Sequence, residues 1–76
     1  MNKGDRKELQ RGLDLMGEAK EIFEAIRDGE QEKFDNLSEG LQQTENGQKF
    51  ETNVSSLDDA INYIDDVQSS VEEAME

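Results

Sequence analysis

The sequence predicts an all-α protein, an antiparallel two-helix hairpin with a short helical turn between its arms, which pairs with a second copy as a four-helix bundle or coiled coil. Three observations lead there. Phe50, Val54, Leu57, Ile61, Ile64, Gln68, Val71 and Met75 alternate steps of four and three residues, the spacing of one helical face held over seven turns. Leu9, Leu13, Met16, Ala19, Ile22, Phe23 and Ile26 form a second stripe at helical spacing. At 76 residues, with no cysteine for a disulfide and no histidine for a zinc site, two isolated helices bury too little apolar surface to be secure alone.

The chain is read as one domain, residues 1–76, with a helix over about 5–33, an ordered turn over 34–43 and a helix over about 44–74. The first helix is expected to open at Asp5, whose carboxylate can cap free amides, with Glu8 three residues on as in a capping box. Its outward face carries Arg11, Asp14, Glu18, Glu21 and Asp28. Gly12 and Gly29 each disfavour a helix interior by about 1 kcal/mol relative to alanine, so one is expected at a close helix contact and the other in a weakened last turn. The end is placed between Gln31 and Phe34.

In the turn, Phe34, Leu37 and Leu41 are separated by three and four residues and are expected to fold over the hairpin end as an ordered cap. The second helix starts near Thr44 or Asn46. Thr52, Asn53 and Val54 are poor helix formers, and Ser55 or Ser56 stands three residues before Asp58 or Asp59 as a second start signal. A continuous helix and a kink or break over 53–56 are both compatible with this pattern. Leu9, Leu13, Met16, Phe23, Ile26, Phe50, Val54, Leu57, Ile61, Ile64 and Val71 are assigned to the oligomer seam. Gln68 there is expected to help set register, and Tyr63, one position before Ile64, to be half-buried.

The formal net charge is −12, unevenly spread: residues 1–33 hold seven basic and nine acidic residues, whereas residues 34–76 hold Lys49 against eleven acids. Such a chain is repelled by free nucleic acid and anionic membrane and steered toward basic protein surfaces. Asp58-Asp59, Asp65-Asp66 and Glu72-Glu73 recur seven residues apart, about 10.5 Å along a helix. These six residues are the candidate partner-binding ridge; their alternative role is simply to solvate the outer face of a coiled coil. An acidic protein can occupy a groove for nucleic acid if its carboxylates fall roughly where phosphates would.

With no His, no Cys, one Tyr and no glycine-rich phosphate loop, no catalytic residues are assigned and the chain is not expected to be an enzyme. No acidic stretch has the ligand spacing of an EF-hand, so neither a metal site nor a cofactor is expected. No segment has the apolar length of a membrane span, and a soluble, cytoplasmic location is expected. Asn53-Val54-Ser55 matches the glycosylation pattern, which is read as chance.

The stretch from Ile26-Arg27-Asp28 through Glu32-Lys33-Phe34-Asp35-Asn36-Leu37-Ser38-Glu39-Gly40-Leu41-Gln42, followed by Leu57-Asp58-Asp59-Ala60-Ile61, resembles small acidic proteins of bacteriophages and prophages. Where that group tends to have proline, this chain has Ser38, which loosens the turn but still suits a helix start. The resemblance implies no defined activity; it implies a host-directed inhibitor or a small accessory protein. The leading expectation is therefore a noncatalytic, phage-derived acidic protein that binds a basic host protein stoichiometrically, as an inhibitor of a nucleic-acid-binding or defence protein. An architectural or virion-associated self-assembling protein is the second expectation. A third is an oligomer that sequesters a small ligand between its helices, which for a phosphorylated ligand requires Lys3, Arg6, Lys7 and Arg11 to gather at a dimer end.

Overall fold

A computed structural model describes residues 1–76, and all of its regular structure is helical: α1 Lys3–Asp35, α2 Glu39–Gln42 and α3 Glu45–Met75. Helix α1 begins earlier than Asp5. The Asn2 side chain accepts a hydrogen bond from the Asp5 amide at 2.7 Å, so Asn2 is the cap and Asp5 stands in the first turn. There its carboxylate still favours the positive end of the helix dipole. At the other end α1 continues through Gly29 to Asp35, and the Asn36 amide donates to the Glu32 carbonyl at 3.0 Å.

The connection between the long helices consists of caps. Ser38 accepts from the Leu41 amide at the start of α2, and Thr44 accepts from the Gly47 amide at the start of α3. The Gln42 side-chain amide donates to the carbonyls of Phe34 (3.2 Å) and Leu37 (3.3 Å), tying α2 to the last turn of α1. Phe34 and Leu37 are half-buried, whereas Leu41 points outward and does not join the apolar cap. Gly47 is buried because the start of α3 lies directly on the Leu41 and Gln42 carbonyls.

Helix α3 passes through Asn53–Ser56 without a break. Intrinsic propensity is overridden by contacts with α1: Val54 is half-buried, and the Asn53 amide group donates to Glu30 Oε2 at 3.3 Å. Lys20 meets Asp65, Arg27 meets Asp58 and Glu30 meets Asn53, so α3 runs back along α1 in the opposite sense. The molecule is a rod of 58 × 15 × 13 Å. A compact 76-residue domain would have a radius of gyration near 11 Å, whereas this one has 17.2 Å.

Three apolar side chains are buried, Leu13, Ile61 and Ile64, and around them Leu9, Met16, Phe23, Phe50, Val54, Leu57, Gln68, Val71 and Met75 are half-buried. On α1 the face turned to α3 reads Leu9, Leu13, Met16, Lys20, Phe23, Arg27, Glu30 and Phe34, the same alternation of four and three that marks α3. Ile26 is excluded from this face. It stands one residue before Arg27, a rotation of about 100° about the helix axis, and is 56% exposed. Ile22 and Leu15 are exposed for the same reason, and Tyr63 is exposed rather than half-buried. A methyl group at Gly12 or Gly29 would meet nothing, so neither glycine marks a close helix contact; that role falls to Gly47.

Candidate partner-binding surface

Pairing two long helices leaves two broad sides along the rod, and they differ in chemistry. On one, Lys20 Nζ donates to Asp65 Oδ1 at 2.6 Å and Arg27 Nη1 donates to Asp58 Oδ1 at 3.1 Å. Arg27 also bonds Asp28 through Nε and Nη2. These cations occupy seam positions, half-buried, and their charged heads reach the acids at the edge of α3. The further cleft on this side is lined by Gln10, Asp14, Gln68 and Glu72. The opposite side is the more apolar, with Leu15, Met16, Val67 and Val71 along one groove and Ile26 and Leu57, beside Glu30, Asn53 and Ser56, along another.

The six ridge acids therefore separate into two lines. Asp58, Asp65 and Glu72 border the seam, and the first two are engaged by Arg27 and Lys20. Asp59, Asp66 and Glu73, again seven residues apart, face solvent; these three and Glu72 have no Lys or Arg within ion-pair distance. Apolar spacing does not single out Lys20 and Arg27. Their signal is that each is charged at a seam position and faces an acid of the seven-residue repeat.

The ion pairs leave electrostatic signatures. The hydrogen bond to Asp65 raises the Lys20 pKa from 10.5, and the bonds to Asp28 and then Asp58 raise that of Arg27. Glu30 is lowered from 4.5, first by the Asn53 hydrogen bond and then by Lys33, whose ammonium lies 3.1 Å from its carboxylate. For a group lowered in the folded state, stability is present above the unfolded pKa and is lost as pH falls through the folded one. The difference in thermal midpoint between the wild type and Glu30→Gln is accordingly expected to be full at pH 7 and to shrink below pH 4.5. A difference that grows on acidification would contradict this arrangement.

No three potential metal ligands converge anywhere on the rod, and no helix is long and apolar enough to cross a membrane. Lys3, Arg6, Lys7 and Arg11 are all exposed along the first turns of α1, with Arg11 3.9 Å from Glu8. No protein-family model matches the chain, and no curated protein or solved structure matches it either.

Proposed function

We propose that this chain is a noncatalytic acidic binding protein that takes one partner protein per site on the outer edge of α3 and so blocks the partner's basic surface. The carrying observation is the solvent-facing line of Asp59, Asp66 and Glu73, joined by Glu72, with no neutralising cation. Leaving like charges unpaired along a thin rod destabilises it through self-repulsion, which a basic partner surface would relieve. In this reading the helical hairpin acts as a pair of copies, as a four-helix bundle or coiled coil, which doubles the charged edge. The likeness of residues 26–42 to small acidic phage and prophage proteins supports a host protein in the host cytoplasm as the target, with a nucleic-acid-binding or defence protein as the fitting class.

Affinity purification from host extract tests this with the quadruple variant Asp59→Asn, Asp66→Asn, Glu72→Gln and Glu73→Gln. None of these side chains makes an ion pair within the chain, so helicity should be retained. Loss of four edge charges is expected to weaken partner binding at least about tenfold, and raising salt should weaken the wild-type complex in parallel. Retention of the same partners by the neutral variant, with no salt dependence, would overturn the reading. The exposed Leu15, Ile22, Ile26 and Tyr63 favour a second reading, an architectural oligomer whose only ligand is itself. Self-assembly with no captured partner would select it.

A further inference from the structure

Of the seven large hydrophobic side chains left exposed, five fall on one broad side of the rod: Leu15, Ile22 and Ile26 of α1 and Tyr63 and Val67 of α3. Their numbers place them together. Ile22 is seven residues after Leu15; Tyr63 is seven after Ser56, which lines the same groove as Ile26, and Val67 lines the groove that holds Leu15. We infer that this side is the docking surface for a second copy of the chain, laid face to face with the rods reversed. This deepens the reading of the chain as a working pair and rests on it, but it names a surface distinct from the seam between α1 and α3.

The area suits an occupant of this size. The chain exposes 5670 Å². A compact monomer of the same mass would expose about 4700 Å². The surplus of about 1,000 Å² is close to the roughly 800 Å² that each partner contributes to a standard stable interface. The apolar stripe is two helices wide and follows the rod, so a second two-helix layer covers it where a single helix would leave half exposed.

Charge selects the orientation. Lys33 lies seven residues beyond Ile26 and Lys49 seven before Ser56, which puts both lysines on this side at the α2 end of the stripe. Glu8 lines the stripe at the other end. Ile22 and Tyr63 stand at the same level, since Lys20–Asp65 and Arg27–Asp58 share their number sum of 85. A two-fold axis across that level places Lys33, about 16 Å to one side, within one helical turn of the level of Glu8 in the second copy. Rods laid parallel would instead stack Lys33, whose one carboxylate partner on its own chain is Glu30 at 3.1 Å, beside Lys49 and leave Glu8 without a facing lysine.

Sedimentation equilibrium of the full chain tests the surface. The wild type is expected to dimerise, and Ile22→Glu with Tyr63→Glu to raise the dissociation constant at least about 100-fold, as two buried charges do at an interface centre. Both positions are exposed in the single chain, so circular dichroism should show the helices intact. Because each copy carries −12, added salt should strengthen the dimer, opposite to its effect on the acidic edge. The neutral-edge quadruple variant should still dimerise, so failure of the edge reading and failure of this one give different results. Orientation has its own readout: with no native cysteine, Ile22→Cys should oxidise to a covalent dimer with itself, because the axis brings position 22 onto its own copy. A wild-type monomer at about 100 µM, well above the dissociation constants of specific pairs, a dimer indifferent to the two glutamates, or an Ile22→Cys chain that stays uncrosslinked while dimeric would each overturn the proposal.

Discussion

Ile61→Ala is expected to remove about 2–5 kcal/mol of unfolding free energy, the largest loss from any single truncation in this chain. Ile61 is 5% exposed and is the most deeply buried of the three core side chains, Leu13 and Ile64 being the others. A rod only 15 × 13 Å in section has no second layer to collapse into the space left behind. At roughly 0.05–0.15 kcal/mol per residue, a 76-residue protein has about 4–11 kcal/mol in total, so the variant loses a large fraction of its stability and should unfold at a distinctly lower urea concentration. Urea denaturation followed by circular dichroism measures this. It must be run at one protein concentration, because an associating chain gains apparent stability from its partner. Ile26→Ala is the contrast: the same atoms are removed from a side chain 56% exposed in the single chain. Under the proposed pairing its effect should fade on dilution, whereas that of Ile61→Ala should persist. Equal losses at high dilution would mean that the buried face has been misassigned.

Both long helices were legible in the sequence; the inward face was legible along α3 and only in part along α1, where Leu9, Leu13, Met16 and Phe23 lie on it and Ile22 and Ile26 do not, for a reason of chemistry. In α3 the positions facing inward are apolar except Gln68, so spacing and hydrophobicity point to the same face. In α1 the inward positions include Lys20, Arg27 and Glu30, while Ile22 and Ile26 lie off the seam. Following apolar residues alone turns the inferred stripe toward those isoleucines. Following the alternation of four and three regardless of residue type would have kept it on the seam. In sequence the acidic ridge is a single feature, because Asp58 and Asp59 are the same residue type; only the cations on α1 distinguish an acid held at the seam from one turned to solvent. The continuous α3 illustrates the same limit: the poor propensity of residues 52–54 is real, and contacts with α1 outweigh it.

Charge at the seam raises the question of what fixes the register. Lys20 and Arg27 are seven residues apart, as are Asp58 and Asp65, which joins the helices in the observed alignment. The same spacing continues to Glu51 on one side and Glu72 on the other. Sliding α3 by two turns would therefore give each cation a new carboxylate and return most apolar positions to the seam. Neither the ion pairs nor the hydrophobic repeat excludes that slip. What excludes it is the length and closure of the turn, where Gln42 bonds back to Phe34 and Leu37 and the start of α3 rests on α2.

Gly47→Ala is accordingly expected to act on register as well as on stability. A Cβ there would lie 2.5 Å from the Leu41 carbonyl oxygen and 2.6 Å from that of Gln42, with the Gln42 carbonyl carbon at 2.8 Å. All three are backbone atoms held by caps, so no side-chain rotation relieves the clash; either α2 or the first turn of α3 must move. Such overpacking costs about 1–3 kcal/mol, against which alanine's better helix propensity returns about 1 kcal/mol. A net loss of up to about 2 kcal/mol should appear in urea denaturation. Because closure of the turn is what distinguishes the native alignment from its two-turn slip, the variant should also show a second set of amide resonances for α3. Gly29→Ala, where an added methyl meets nothing, should stabilise by about 0.5–1 kcal/mol and keep one set. A Gly47→Ala protein as stable as the wild type, with a single set of resonances, would show that the turn yields freely and that the register is fixed elsewhere along the seam.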